Sequence, residues 1–60
     1  MERVYDVFEK MPDGDLIWRV TVVGRQAAIR KLLEMGAHSP REFHLMHLTS
    51  NTVIAKVNAP

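Results

Sequence analysis

Cysteine is absent from these 60 residues, which removes disulfides, thiolate zinc sites and thiol nucleophiles together. Charge of one sign is missing too. Eight Lys and Arg stand against seven Asp and Glu, a balance that supplies little of the long-range attraction behind nonspecific nucleic-acid binding. No stretch approaches the roughly 20 apolar residues of a membrane span. No apolar run follows Met1-Glu2-Arg3, so no signal peptide is expected and the cytoplasm is the expected compartment. Glycine is scarce, and there is no P-loop, no dinucleotide fingerprint and no G-x-S-x-G elbow. No cofactor is expected.

What the chain does have is apolar content, 47% hydrophobic against 25% charged residues, the proportions of a globular protein. The expectation is one domain over residues 1–60. A chain of this length buries only about 60% of the surface its unfolded form exposes, so a lone core is marginal. Small domains usually gain the balance from disulfides, a metal or a partner subunit.

The clearest local signal is Lys10-Met11-Pro12-Asp13-Gly14-Asp15. Proline fixes φ for the first turn position, aspartate suits the second, and glycine takes the left-handed position of a three-residue hairpin with a bulge. Arg3 to Lys10 and Leu16 to Val23, rich in β-branched and aromatic residues, read as the strands it joins. Closing the loop puts Met11 opposite Asp15, Phe8 opposite Trp18 and Val4 opposite Val22. One face of this hairpin then carries Val4, Phe8, Leu16, Trp18, Val20 and Val22, with Asp6 and Lys10. Its other face carries Tyr5, Val7, Ile17 and Val23 among Glu9, Arg19 and Thr21.

Arg25 to Met35 reads as a helix, with Ala28, Ile29, Leu32, Leu33 and Met35 in one arc. Gly24 serves as N-cap, Gly36 as the left-handed C-terminal residue, and Pro40 prevents continuation. Glu42 to Leu48 and Thr52 to Asn58 read as a second hairpin around Thr49-Ser50-Asn51, where Asn51 accepts positive φ. A helix over residues 43–48 is the competing assignment. Asn58-Ala59-Pro60 reads as a loose end. The order is ββαββ, an α+β fold with a four-stranded antiparallel sheet. A right-handed crossover through the helix, with the first strand between the second and third, gives spatial order 2-1-3-4.

One helix covers one face of such a sheet. The expected covered face holds Phe8, Trp18, Val20, Val22, Val53 and Ala55, with Trp18 buried. That leaves Tyr5, Val7, Ile17, Val23, Phe43, Leu45 and Ile54 on the open side as the candidate interface. Twist or bulges that turn some of these inward are the competing expectation. An exposed apolar patch of that size asks for a partner, and a second copy is the default because most soluble oligomers are two-fold homo-oligomers. A different protein partner is the lesser expectation.

Chemistry-bearing residues do not converge. His44 and His47, three apart on a strand, lie on opposite faces and cannot share a metal. His38 falls after the helix, where a basic group meets its C-terminus favourably. Asp13 and Asp15 have turn roles and Glu9 a solvent-facing one. Asp6 points to the covered face in the derived register, at its rim or beside a cation. Arg30 and Glu34 are spaced for an ion pair. No catalytic or metal set emerges, and no enzyme is expected. Arg19 and Lys56, near Tyr5 and Phe43 on the open face, suggest an aromatic-plus-basic platform for single-stranded nucleic acid as the alternative. Nucleic acid is the less favoured partner, because the alternating aromatics and glycines of an RRM are absent.

Tyr5-x-Val7-Phe8, Pro12-Asp13-Gly14, Trp18, an amphipathic helix and Glu42-Phe43 before a last hairpin occur here in that order. In this the chain resembles a set of small bacterial ββαββ proteins without an assigned function. The resemblance spans most of the chain and implies the fold; it implies no activity. The functional expectation is therefore a small non-enzymatic interaction module, a homodimer joined through its open sheet face or a strand edge.

Overall fold

The computed structural model describes residues 3–60. Met1 and Glu2, on which the expectation of no leader rested, lie outside them. The elements run β1 (Val4–Lys10), β2 (Leu16–Val23), α1 (Arg25–His38), β3 (Glu42–His47) and β4 (Thr52–Val57). The sheet order is β2-β1-β3-β4, and every neighbouring pair is antiparallel. This is the expected topology, and β3 is a strand, not a helix.

The first turn forms as its sequence dictates. Gly14 N donates to Met11 O at 2.9 Å and Met11 N to Asp15 O at 2.7 Å. The Asp13 carboxylate accepts the Asp15 amide at 3.0 Å. Gly14 has φ 95°, a conformation that costs glycine little because it has no Cβ to clash. In the second turn Asn51 takes φ 53°, also as expected.

The packing of the sheet inverts the expected facing of its two central strands. Tyr5, Val7, Phe43 and Leu45 are almost wholly buried, and with Ala28 and Leu32 of α1 they form the core. Trp18, expected inside, is 54% exposed. The edge strands follow this facing through a pair of β-bulges, one in each. Between Val7/Phe8 and Val20/Trp18 the register slips by one, leaving Arg19 as the extra residue. Between Leu45/Met46 and Ala55/Val53 it slips again, leaving Ile54.

An extra residue reverses the alternation of side chains beyond it, because the period along a strand is two. Val4 accordingly pairs with Val23 rather than Val22. Val20, Val22, Ala55 and Val57 do pack against the core, but on the same face as Tyr5, Val7, Phe43 and Leu45. Four of the seven expected interface residues are therefore core, not surface.

The helix runs further than its sequence suggested, to His38. Gly36 lies inside it rather than closing it. Ser39 is extended, at φ −149° and ψ 140°, as the residue before a proline prefers. The last carbonyls are met from outside. Asn58, at φ 57°, sets its side-chain Nδ2 2.8 to 3.0 Å from the carbonyl oxygens of Gly36, Ser39 and Arg41. An amide NH2 has two protons, so one of them is shared between two of these acceptors. Asn58 is thus a clasp between β4 and the helix end, not a loose end.

Candidate interaction face

With the odd residues of β1 and β3 under the helix, the even ones point away from it. Asp6, Phe8 and Lys10 of β1 share the open face with Glu42, His44 and Met46 of β3, their direct cross-strand partners. Thr21, Trp18 and Leu16 extend these rows on β2; Lys56 and Val53 extend them on β4. One row crosses all four strands: Trp18, Phe8, His44, Lys56. The apolar members of the open face are Val4, Phe8, Leu16, Trp18, Val23, Met46 and Val53. Leu16, Trp18, Val23 and Val53 are exposed, and the others are half-buried.

Trp18 is held in place by its polar edge. Its indole N–H is shared between Asp6 Oδ1 and Thr21 Oγ1, each at 3.2 Å, and the Thr21 hydroxyl donates to the same Asp6 oxygen at 2.6 Å. The one polar atom of the ring is satisfied within the chain, so the surface it leaves to solvent is apolar. Asp6, read from sequence as facing the helix, is instead the anchor of this network.

The charges on the face are mixed. Lys10 and Lys56 balance Asp6 and Glu42. His44, 7% exposed, meets the Glu42 carboxylate through Nε2. That hydrogen bond is the main reason Glu42 is held below the usual carboxylate range; Lys10, His44 and Lys56 add to it electrostatically, while desolvation opposes it.

Other expected site residues lie elsewhere. Ile17 is 41% exposed but pairs with Glu9, on the helix side of the sheet. Ile54 sits in the β4 bulge, and of the seven only Val23 is both exposed and on the open face. Glu9 is not solvent-facing: it is 8% exposed and bracketed by Arg19 Nη2 at 2.7 Å and Arg41 Nε at 2.9 Å. Arg19 is thereby drawn to the helix side. With Tyr5 and Phe43 buried, the platform of Arg19, Lys56, Tyr5 and Phe43 is not assembled; only Lys56 lies on the open face.

On the helix, Glu34 pairs with Lys31 at 2.9 Å rather than with Arg30, and that contact lowers its pKa. His47 stacks at an angle on Tyr5, ring centroids 5.2 Å apart, and its Nδ1 meets the Ser50 hydroxyl. His38 ends the helix beside a shallow hollow of about 550 Å³ lined by residues 36–40 with Asn58 and Ala59. Asn58 already occupies the carbonyls there. Among the described residues, no three His, Cys, Asp or Glu side chains converge on a point that could hold a metal ion. No helix among them is long and apolar enough to cross a membrane.

The signal for the true facing was in the central strands read alone. Asp6, Lys10, Glu42 and His44 all occupy even positions of β1 and β3, while Tyr5, Val7, Phe43 and Leu45 occupy odd ones. That polar alternation marks the even side as the outer one. Comparison with known protein families, with curated proteins and with solved structures finds no match to the chain in any of the three.

Proposed function

We propose that this chain is a small non-enzymatic interaction module that self-associates through the open face of its sheet. The observation that carries this reading is Trp18: a tryptophan 54% exposed and fixed by its N–H, on an apolar surface that the single helix cannot reach. Tryptophan is among the residue types most enriched where binding energy concentrates at protein interfaces. Seven apolar side chains on one uncovered face form the kind of contiguous surface that marks a contact site.

Edge-to-edge pairing is the weaker route. Both edge strands carry a bulge, and bulges twist an edge away from an incoming strand. Covering about 800 Å² per copy, a standard interface, would remove about one-fifth of the 4152 Å² this chain exposes. It would also add the apolar burial that a lone core of this size lacks.

The mixed charge of the face argues against the nucleic-acid alternative, since each lysine there has an acidic neighbour to offset it. Sedimentation over a range of concentrations tests the proposal. The parent should approach twice its monomer mass at about 100 µM, with a melting temperature that rises with concentration. Trp18→Asp should remain folded and stay monomeric. A parent that sediments as a monomer with a concentration-independent melt would overturn self-association. Salt-dependent capture of single-stranded RNA by that monomer would revive the alternative.

A further inference from the structure

The charges on the open face also fix how two copies would meet, an inference that rests on the self-association just proposed. A two-fold axis relating two sheets packed face to face lies in the plane between them. If it runs along the strands, midway between β1 and β3, it lays β1 of one copy over β3 of the other and β2 over β4. Should it run across the strands through the central row, every residue of that row meets its own copy.

These two arrangements differ sharply in chemistry. In the first, each residue of β1 meets the one it already pairs with inside its own chain. Lys10 faces Glu42 of the second copy, and Phe8 faces His44, because Lys10 and Glu42, and Phe8 and His44, are direct cross-strand partners. Trp18 faces Lys56, the far end of the same row, where an ammonium over an indole face is attractive. Each contact occurs twice. Across the strands, Lys10 would meet Asp6, but Lys56 would meet Lys56 at the end of the central row, and like charges set against each other are costly at an interface.

We infer that two copies pack open face to open face about a two-fold axis parallel to the strands, between β1 and β3, with Lys10 of each against Glu42 of the other. The sheets stand about 10 Å apart and cross at about 30°, the angle their own twist imposes. The β1 and β3 rows nearest the axis interdigitate, and the long side chains of Trp18 and Lys56 close the corners.

Charge exchange reads this register directly. Lys10→Glu sets glutamate against Glu42, and Glu42→Lys sets lysine against Lys10, so each variant alone should lose at least about tenfold in dimer affinity. Mixed in equal amounts, the two should form heterodimers of near-parental affinity, since both contacts then regain opposite signs. Cross-linking gives a second measure, and with no native cysteine it is unambiguous. A short bismaleimide should join Leu16→Cys to Lys56→Cys in a mixed sample and should not join Lys56→Cys to itself. A dimer that shows no rescue on mixing, or in which Lys56→Cys links to itself, overturns this axis while leaving self-association standing. A parent that stays monomeric overturns both.

Discussion

The Trp18 indole N–H reaches the Thr21 hydroxyl at 3.2 Å, although the two residues stand three apart on one strand. On a regular strand that offset puts side chains on opposite faces. The bulge at Arg19 returns them to the same face, and there Asp6 ties them together. The arrangement leaves Trp18 out in solvent in the free chain, so its emission in dilute solution should be that of an exposed, readily quenched indole. If copies associate through this face as proposed, the emission should move to shorter wavelength as concentration rises. An indole already shielded from iodide at the lowest concentration would contradict this facing.

The inverted core separates two substitutions that look alike in sequence. Leu45 is fully buried, whereas Val53 is exposed. Leu45→Ala should cost about 2–5 kcal/mol of folding stability. For Val53→Ala the cost in the monomer should stay within about 0.5 kcal/mol, as for other surface changes. Urea melts at low concentration measure both.

Gly36 is required by contact rather than by conformation. A β-carbon there would lie 2.7 Å from Val57 Cγ2 and 3.1 Å from Val57 Cβ, so α1 sits close over β4 at this point. Alanine is normally better than glycine inside a helix by about 1 kcal/mol. Here Gly36→Ala should destabilise instead, by about 1–3 kcal/mol, as overpacking does. Adding Val57→Ala should recover part of that loss, a coupling that a double-mutant cycle would expose.

Asn58 carries two roles that two substitutions can divide. Asn58→Gly keeps the left-handed backbone at little cost and removes the clasp, whose bonds are open to water, so it should lose about 0.5–1.5 kcal/mol, the net range for a hydrogen bond. Asn58→Ala adds backbone strain at φ 57° and should lose more. Amide exchange in the last turn of α1 should speed up in both, while the core strands change less.

The Glu42–His44 contact predicts a pH dependence with a definite sign. Glu42 titrates lower in the folded chain than its ordinary 4.5, chiefly because His44 hydrogen-bonds its carboxylate. The unfolded state therefore takes up the proton first. The contribution is fully present above pH 4.5 and fades as pH falls through the lowered folded value. Glu42→Gln should flatten this part of the acid limb of the stability profile. An unchanged acid limb in that variant would show that other carboxylates account for it.

The elements and their order were legible from local chemistry. Pro12-Asp13-Gly14 dictates its turn, β-branched residues mark β2, and the spacing of Ala28, Leu32 and Met35 marks α1. Even the pairing of Phe8 with Trp18 follows from counting back from the turn. The facing of the edge strands does not follow from the same count, because a register propagated along an edge strand fails at the first unpaired residue. Nothing about Arg19 or Ile54 by itself announces a bulge. The same failure moved the candidate interface from Tyr5, Val7, Phe43 and Leu45 to Phe8, Trp18, Met46 and their neighbours.

The pattern of residues along the chain settles the topology, because turn geometry, strand propensity and helix periodicity act over a few residues and need no distant partner. It also determined that one helix would leave one sheet face uncovered. The alternation in β1 and β3 marks which face that is, but where the edge strands break their own alternation to follow it was decided only in three dimensions. There, Arg19 leaves the ladder and reaches the carboxylate of Glu9, which Arg41 meets from the other side, and Gly36 lets α1 settle on Val57. Burial of the central strands outweighs regular alternation at the edges, since a side chain in β1 or β3 is flanked by strands on both sides and gains more from the core than one at a free edge. The bulges are where the edge strands yield to that preference.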